Sequence, residues 1–385
     1  MKAIYLDHSA TTPIRPEVLE AMHPYFTDIF GNASSIHTFG QEARKALEEW
    51  REKVAERLGA LPEEIVFTSG GTEATNLAIK GGIRSNRLRG NQIIISSIEH
   101  HATLNTCQHL EREGYRVIYL PVDRHGKLDP GDVEKAVTDK TVLISIIHAN
   151  NEVGTIQPLG EIGEIARNRG VLFHTDAVQS VGKIPLNVDD LKVDFLSLSG
   201  HKVYGPKGIG ALYVRKGIPF EPLFQGGHHE RNRRPGTENI PYIVGLARAL
   251  ELAEEEIDHV SSKVENLRDA FWKAIETQIE GVHINGHHRD RIPSILNVSF
   301  DGVDGESVVL NLDLKGVATS TGSACTSGAL EPSHVLLSMG VSRGRVRGAV
   351  RFSLGRKTTQ EELDYTVAVL AETIRHLRSI SSDAD

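Results

Sequence analysis

Hydrophobic positions fall into two alternating patterns between about residues 40 and 215. Short, almost purely apolar runs are typical of strands buried on both faces of a parallel sheet, and they occur at 65–67, 93–95, 117–120, 142–147, 171–173 and 195–198. Segments with apolar residues at helical spacing lie among them, at 42–58, 74–80, 102–113, 130–137 and 159–168. The alternation predicts the α/β fold class, with a mostly parallel sheet covered by helices on both faces.

The pattern changes after about residue 250. A long, charged, amphipathic stretch at 247–278 predicts one helix that bridges two domains, and a strand at 294–300 and a helix at 307–314 follow it. We therefore predict a large α/β domain over residues 13–255. A smaller α+β domain is predicted to combine residues 1–12 with 256–385.

Composition narrows the class of protein. The chain has 385 residues, a formal charge of −8 and ordinary hydrophobic and charged fractions of 39% and 24%. Its two cysteines, Cys107 and Cys325, are far apart, which excludes a disulfide scaffold, a zinc finger and a cysteine-ligated cluster within one chain. The acidic balance argues against a general nucleic-acid coat. The start lacks an apolar targeting segment and the longest apolar runs are too short for a membrane span, so a cytoplasmic location is expected.

A first candidate site follows the strand predicted at 65–67. Gly71 and Thr72 lie in a polar segment directly before the helix predicted at 74–80. Glycines and hydroxyls at a helix N-terminus leave backbone N–H groups free to bind an anion such as phosphate. Taken alone, this motif has an alternative interpretation: an ordinary glycine turn with a threonine helix cap, which binds no ligand.

Three further polar residues follow predicted strands. His100 comes after 93–95, where either a helix-start cap or a ring that faces the site fits the sequence. Its neighbour His101 cannot join it as a metal ligand, since adjacent side chains point apart. Asn151 belongs to a polar cluster after 142–147, and Asp176 follows 171–173, where a simple helix cap is the alternative. We expect these side chains to gather at one edge of the sheet.

Lys202 is the decisive residue, because it follows the strand at 195–198 and is flanked by Ser199 and His201. A surface lysine is the alternative, but burial would lower the amine pKa, as Schiff-base formation requires. Pyridoxal phosphate needs a lysine for its aldehyde, an acid for its pyridine nitrogen and donors for its phosphate. Lys202, Asp176 and the segment at 71–72 would supply these groups, and His100 would cover the ring. Their conjunction predicts a pyridoxal phosphate site and no metal.

The two cysteines differ in their surroundings. Cys325 lies among small residues at 319–328, which predicts an accessible loop (about 319–332) where a thiol can act as a nucleophile or carrier. Cys107 falls in the helix predicted at 102–113, where burial is expected. A basic segment at 343–357 is typical of a solvated face. Within it, Arg351 lies between apolar residues, so we expect it to face inward and bind a carboxylate.

With these motifs, above all those at 199–202 and 323–327, the sequence resembles the NifS/IscS family of cysteine desulfurases. The resemblance runs from residues 5–13 to 351–356, and it implies a pyridoxal phosphate-dependent transferase of fold type I, the aspartate aminotransferase-like scaffold. It also implies a homodimer that takes sulfur from L-cysteine and leaves L-alanine. The sulfur would pass as a Cys325 persulfide to an acceptor such as an IscU-like scaffold, for iron–sulfur cluster assembly or tRNA thiolation.

The resemblance implies a role for each site residue. Lys202 would bond the cofactor aldehyde and move the Cα proton, Cys325 would receive sulfur, and His100 is a candidate proton acceptor. Arg351, together with Asn151, would bind the substrate. The implied cofactor-binding residues are Gly71, Thr72, His100, Asn151, Asp176, Gln179, Ser199, His201, Lys202 and Thr237 of the partner subunit.

Three alternatives remain open at this stage. A selenocysteine lyase or cysteine sulfinate desulfinase would share the fold and depend less on Cys325. A non-catalytic sulfur-relay scaffold would bind its partner through the basic segment at 343–357. A cysteine hydrolase ranks below both, since no motif near Cys325 supplies an oxyanion-hole turn.

Overall fold

The computed structural model of the protein describes residues 3–86, 88–321 and 332–382. In these ranges the strands are β1 (Ile4–Tyr5), β2 (Ile65–Thr68), β3 (Gln92–Ser96), β4 (Arg116–Leu120), β5 (Thr141–Ser145), β6 (Leu172–Asp176), β7 (Phe195–Ser199), β8 (Gly210–Val214), β9 (Val282–Asn285), β10 (Ile295–Phe300), β11 (Val317–Ala318) and β12 (Ala349–Ser353). All six strands predicted between residues 65 and 198 are therefore present as β2 to β7.

The α-helices in the same ranges are α1 (Pro16–Met22), α2 (Pro24–Thr27), α3 (Thr38–Leu58), α4 (Gly71–Ser85), α5 (His101–Arg112), α6 (Pro130–Ala136), α7 (Leu159–Arg169), α8 (Val188–Leu191), α9 (Ile240–Glu255), α10 (Ile257–Gln278), α11 (Gly305–Leu314), α12 (His334–Ser338), α13 (Arg343–Arg347) and α14 (Gln360–Ser382). Short 3₁₀ turns occupy Pro62–Glu64, Gly200–Lys202 and Glu230–Asn232. The helices predicted before residue 170 are all present, within a few residues of the expected bounds.

The main sheet has the strand order β2-β8-β7-β6-β5-β3-β4 among the described residues. Strands β3 to β7 run parallel to one another, whereas β8 pairs antiparallel with both β7 and β2. Strand β2 therefore points in the same direction as β7. The carboxyl ends of β2, β3, β5, β6 and β7 consequently lie at one edge of the sheet, which is where parallel α/β folds build their sites.

Each face of this sheet packs into its own hydrophobic cluster. Ile94 of β3 packs with α3 and α9 residues on one face, whereas Ile93 and Ile95 pack with α4 and α5 residues on the other. This split follows from the two-residue period of a strand, and it explains why the strands read as continuous apolar runs. The α/β fold class is confirmed by this layered arrangement.

A second core lies in the C-terminal part of the chain. Strands β12, β10 and β9 form an antiparallel sheet, and α10 and α14 pack on it. Ile4 and Leu6 of the N-terminal segment join this core, as the predicted combination of residues 1–12 with 256–385 requires. The bounds of the two domains stay a prediction, because neither core fixes the residue at which one domain ends.

The single bridging helix predicted over 247–278 is wrong. The structure has two helices there, α9 and α10, and the chain breaks between them at Glu256, whose ψ is 0°. The Glu256 carboxylate pairs with Arg15 and with Arg356, both at 3.0 Å. These ion pairs hold the junction between the two helices, and they join residues too far apart in sequence for a helical pattern to reveal.

Candidate active site

A cavity of about 270 Å³ opens at the carboxyl edge of the main sheet. Its walls come from the ends of β2, β3, β5, β6 and β7, from the N-terminal segment and from β12. The lining residues are Ser9, Ala10, Gly71, Thr72, His100, Ala102, Ile147, Asn151, Asp176, Val178, Gln179, Ser199, His201, Lys202 and Arg351. The structure thus brings to one place every predicted site residue except Thr237 and Cys325.

One end of the cavity is formed by the start of α4. This helix begins at Gly71, directly after the turn that ends β2, so the backbone N–H groups of its first turn have no partner within the helix. Gly71 and Thr72 line the cavity here, and Ser199 and His201 line it from the end of β7. The positive end of the helix dipole and these side-chain donors make this wall suited to an anion.

His201 lies in this wall as a neutral ring. Burial, followed by the charge of Lys202, lowers the pKa of His201 to about 4. Its Nδ1 atom lies 3.2 Å from the hydroxyl oxygen of Thr11, so that hydroxyl can donate to Nδ1 and leave the proton on Nε2. In that tautomer the ring is a hydrogen-bond donor towards its other side.

Lys202 ends the 3₁₀ turn that follows β7, and its side chain enters the cavity half-buried. Its Nζ donates to the backbone carbonyl oxygens of Ser9, at 2.5 Å, and Ala10, at 2.7 Å. The N-terminal segment therefore lines the cavity and holds the amine in place. The alternative of a surface lysine is excluded for Lys202.

Asp176 ends β6 and is buried. Burial raises the pKa of Asp176 to about 6, although the Val178 N–H at 3.0 Å and the charge of Lys202 oppose that rise. No helix among the described residues begins at Asp176, so its carboxylate caps a short turn and not a helix. A positively charged partner would stabilise the ionised form of this buried carboxyl.

Behind the cavity lies a second buried carboxyl, that of Glu99. Its Oε1 accepts hydrogen bonds from Ser96 Oγ, at 2.5 Å, and from the N–H of Ile147, at 3.0 Å. Its Oε2 has no hydrogen-bond partner among the described residues. Burial, and to a smaller degree the charge of Asp176, raise the pKa of Glu99 to about 8, so the neutral form predominates at pH 7.

His100 is both a helix cap and a cavity residue. Its Nδ1 accepts a hydrogen bond from the Ala102 N–H at 3.1 Å, which caps α5. Burial and then the charge of Lys202 lower the pKa of His100 to about 4, so the ring is neutral. Because Nδ1 is the acceptor, the ring proton lies on Nε2. His100 therefore both caps a helix and lines the site, which the sequence presented as two alternatives.

Asn151 and Gln179 also line the cavity. The turn that carries Asn151 is fixed by Asn150, whose Oδ1 accepts hydrogen bonds from the N–H groups of Glu152 and Val153. The Gln179 Nε2 donates to Ser9 O at 2.9 Å, and its Oε1 accepts from Lys183 Nζ at 2.8 Å. The Gln179 amide is thus held by local contacts, whereas for Asn151 it is the turn around it that is fixed.

Arg351 of β12 is buried, as expected from its apolar neighbours, whereas Arg343, Arg345 and Arg347 are exposed. One of its terminal nitrogens donates to Asn151 O at 2.9 Å and the other to Asp7 Oδ1 at 2.8 Å. Its buried Nε has no hydrogen-bond partner among the described residues. Each terminal nitrogen carries a second N–H, so the guanidinium keeps donors for a ligand in the cavity that Arg351 lines.

Two predicted site residues are not in this cluster. Within the described residues, Thr237 is exposed and lies away from the cavity lining. Cys325 lies outside the described residues, as does most of the predicted loop at 319–332, so its expected role stays a prediction. Cys107 is buried in α5, and burial raises its thiol pKa to about 12, which confirms it as a packing residue.

Sequence reasoning missed several groups around the cavity. Ser9 and Ala10 act through backbone carbonyls, which no residue motif reveals. Asp7 pairs with Arg351 across 344 positions of sequence. Glu99 directly precedes His100, and Lys183 comes four residues after Gln179. A charged side chain close in sequence to a predicted site residue is the one signal that could have found them.

The described residues contain no group of three or more histidines, cysteines or carboxylates placed to hold a metal ion. Nor do they include a helix with the length and apolar character that a membrane span requires.

The chain is similar to known proteins along almost its whole length. Residues 4–366 match the model of the aminotransferase class-V family. A protein of Dictyoglomus turgidum named cysteine desulfurase IscS is 53% identical over 380 residues, which cover 99% of this chain and 96% of the relative. A solved NifS-like protein is 40% identical with a TM-score of 0.92, covering 97% of this chain and 100% of that one. The solved structure of SspA in complex with cysteine is 40% identical with a TM-score of 0.81, covering 92% and 100%.

Proposed function

The chain belongs to the aminotransferase class-V family, and from this we infer that it acts as a pyridoxal phosphate-dependent cysteine desulfurase. The reaction removes sulfur from L-cysteine and leaves L-alanine. The resemblance noted for the sequence is confirmed by the family match and by relatives of 48% to 53% identity that carry this name. The expected fold type and cofactor are confirmed with it.

The observation that carries the proposal is the convergence of three groups on one cavity. The Lys202 amine, the buried Asp176 carboxyl and the N-terminus of α4 are the three partners that pyridoxal phosphate requires for its aldehyde, pyridine nitrogen and phosphate. The raised pKa of Asp176 fits as well, because a protonated pyridine nitrogen would compensate its buried charge. The residues present therefore fit the cofactor.

The roles of the individual residues are proposed as follows. Lys202 bonds the aldehyde, Asp176 pairs with the pyridine nitrogen and the neutral ring of His100 covers the cofactor face. Asn151 and Gln179 bind the phenolic oxygen. The phosphate is held by Gly71, Thr72, Ser199 and His201, whose Nε2–H is free to donate in the tautomer described above.

The substrate carboxylate is proposed to bind Arg351, which lines the cavity and whose terminal nitrogens each keep a second N–H. This contact would fix the Cα–H bond in the orientation that reaction requires. When bound, pyridoxal phosphate withdraws the electron pair left at Cα after deprotonation. Lys202, freed from the aldehyde, is the residue proposed to carry the Cα proton.

Cys325 is proposed as the sulfur acceptor. Its thiolate attacks the substrate sulfur, so that an S–S bond forms while the Cβ–S bond breaks. The electron pair of the broken bond stays with the carbon, which ends as the methyl group of L-alanine after protonation. The persulfide on Cys325 then passes to a sulfur acceptor, for which an IscU-like scaffold is our proposal.

His100 is a weak candidate for the proton acceptor of Cys325. Its Nδ1 is occupied by the Ala102 N–H and its pKa is lowered to about 4. To accept a proton, the ring would have to give up either that hydrogen bond or its Nε2 proton. The cap geometry favours a role for His100 in covering the cofactor and in donating from Nε2.

A homodimer is proposed, with Thr237 of the partner subunit completing the phosphate site. Support comes from an apolar patch on α1 to α3 and their connections, whose exposed members are Leu19, Phe26, Phe30, Ile36 and Phe39. Ile36 is 91% exposed, which is costly for a side chain that remains in water. Phe26 contacts Tyr242 of α9, so one member of the patch packs on the helix that follows Thr237 in the chain. Action in the cytoplasm stays a prediction.

The proposal is tested by the absorbance of the purified protein and by alanine and sulfide release from L-cysteine. We expect a visible cofactor band and release of both products. Cys325→Ala should keep the band but lose turnover, whereas Cys107→Ala, which removes a buried thiol, should keep both. Alanine production that persists in Cys325→Ala would refute the carrier role, and a colourless, inactive wild type would refute the function.

A further inference from the structure

Lys183 lies next to the cavity but has no role in the reaction described above. Its Nζ donates to Gln179 Oε1 at 2.8 Å, and Gln179 in turn donates from Nε2 to Ser9 O at 2.9 Å. Ser9 O also accepts from Lys202 Nζ. A continuous chain of hydrogen bonds therefore runs from Lys183, through Gln179 and a backbone carbonyl, to the reactive lysine.

This arrangement determines which way the Gln179 amide points. Lys183 Nζ donates to the amide oxygen, and the protonated lysine, which has three donors and no acceptor, allows only this orientation. The amide NH₂ must then face the cavity side, where one of its two protons goes to Ser9 O. The second proton is left for an acceptor in the cavity. Without Lys183 the amide could turn over and present its oxygen to the same place.

Lys183 itself is held firmly by backbone contacts. Its N–H donates to Ser180 O at 3.0 Å, and its carbonyl accepts a hydrogen bond from Ser261 Oγ of α10 at 2.7 Å. The segment that begins at Asp176 is thereby tied to the second core. The backbone of Lys183 is thus set by the fold, and the contact with Gln179 Oε1 holds its Nζ.

The charges around Lys183 are mostly of its own sign. Lys202 and Arg351 act on its ammonium through space, and Lys183 acts in the same way on His8 and His201. The nearby carboxylate of Glu256 lines the same crevice as Lys183 and His8. Burial, and then the charges of Lys202 and Arg351, lower the pKa of Lys183 to about 7. An anionic oxygen in the cavity would relieve this repulsion.

We propose that Lys183 is a positioning residue that fixes the Gln179 amide so that its N–H group faces the phenolic oxygen of the cofactor. The inference rests on the proposed function, since it needs pyridoxal phosphate in this cavity. It adds a residue to the group that determines how firmly the cofactor is held and at which pH its colour changes. The contact acts through Gln179, and it therefore depends on that side chain.

The experiment is a double-mutant cycle with Lys183→Met, Gln179→Leu and the double variant. Each protein is stripped of cofactor and titrated with pyridoxal phosphate, and the visible band of the loaded form is followed from pH 6 to 10. We expect Lys183→Met to raise the cofactor Kd about 10-fold and to shift the pH midpoint of the band by about 0.5 to 1 unit. In the Gln179→Leu background, the same change should alter the Kd less than about 2-fold.

Lys192→Met is the matched control. Lys192 is a half-buried lysine whose Nζ pairs with Glu164 at 2.6 Å, away from the cavity. Its replacement should leave the Kd and the band midpoint unchanged. The thermal midpoint of each stripped protein shows whether Lys183→Met is folded; if it is not, Lys183→Arg, which keeps donors and charge, should retain most of the wild-type affinity.

The outcomes distinguish a failure of the proposed function from a failure of the proposed role of Lys183. A wild type that takes up no cofactor would overturn the proposed function and this role with it. A wild type with a normal band, beside a Lys183→Met variant with unchanged Kd and midpoint, would overturn the role of Lys183 alone. The role is also refuted if the effects of Lys183→Met and Gln179→Leu add in the double variant, since Lys183 would then act independently of Gln179.

Discussion

Arg351 and Ser320 are joined by a pair of backbone hydrogen bonds. The N–H of Arg351 donates to Ser320 O at 2.6 Å, and the N–H of Ser320 donates to Arg351 O at 3.2 Å. Ser320 precedes Cys325 by five positions. The strand that carries the proposed carboxylate ligand therefore also anchors the segment that leads to the proposed sulfur acceptor. Because this link is made by backbone atoms, a change of the Arg351 side chain leaves it intact.

We predict that Arg351→Lys raises the KM for L-cysteine by about 10- to 100-fold. A lysine keeps the charge near Asp7 but loses the planar fork that can bind a carboxylate through two N–H groups. Steady-state rates of alanine release at varied L-cysteine concentration measure the change.

The matched control is Arg345→Lys, at an exposed arginine that pairs with Asp301 at 3.3 Å. It should change the KM less than about 2-fold. An Arg351→Lys variant with the wild-type KM would show that the substrate carboxylate binds elsewhere.

Asp176→Asn should stabilise the cofactor-free protein at alkaline pH while weakening cofactor binding. The folded pKa of Asp176 is about 6, above its ordinary value of 3.8, so the folded state favours the protonated carboxyl. The cost of burying its charge is absent below about pH 4, grows between about pH 4 and 6, and is complete above pH 6. At pH 8 it amounts to about 3 kcal/mol, which an uncharged asparagine avoids.

Urea unfolding of the cofactor-free proteins at pH 8 and pH 4 measures this difference. Asp176→Asn should be the more stable protein at pH 8, and its advantage should disappear at pH 4. Asp189→Asn, at an exposed carboxylate, should show no such pH-dependent gain. A variant that is less stable than wild type at pH 8 would contradict the assigned burial cost.

The fold was predictable as far as local pattern reaches. Strands such as β3 and β6 are buried on both faces, so their apolar runs were enough to locate them. Strand β8 was missed, since Gly210 opens it and its antiparallel place between β2 and β7 depends on tertiary pairing. The break at Glu256 was missed for the same kind of reason, because ion pairs with Arg15 and Arg356 hold it.

The site residues, too, were predictable only where the local sequence reveals them. Lys202, Asp176 and His100 follow predicted strands, and their side chains belong to the chemistry that the motif implies, so sequence reasoning found them. The carbonyls of Ser9 and Ala10 carry no side-chain signature, although they hold Lys202. Whether His100 caps a helix or faces the site could not be decided from sequence, because one ring does both.

Two substitutions separate those functions of His100. Asn is a good N-cap residue but has no ring, whereas Phe keeps a ring and cannot cap. His100→Asn should keep the free energy of unfolding within about 0.5 kcal/mol of wild type and raise the cofactor Kd. His100→Phe should lose about 1 kcal/mol of stability and keep a Kd close to wild type.

Urea unfolding and cofactor titration of both variants provide the measurements. Turnover of His100→Phe adds a third readout, since the variant lacks the Nε2–H donor and should turn over at least about 10-fold more slowly. A His100→Phe variant that loses the cofactor as readily as His100→Asn would refute the covering role of the ring.

Thr237→Ala should weaken cofactor binding about 10-fold, and subunit mixing should show that the contact comes from the partner. The loss of one hydrogen bond to a charged phosphate accounts for that magnitude. Thr237→Ala and Lys202→Ala homodimers each lack an intact site. In a mixed dimer, the site that keeps Lys202 receives its Thr237 from the other subunit, so one fully intact site is restored. Co-expressed subunits with different tags, purified in tandem, should therefore show wild-type cofactor affinity at half of their sites. If Thr237 acted within its own chain, no site of the mixed dimer would be intact, and the titration would reproduce the weakened Kd of Thr237→Ala.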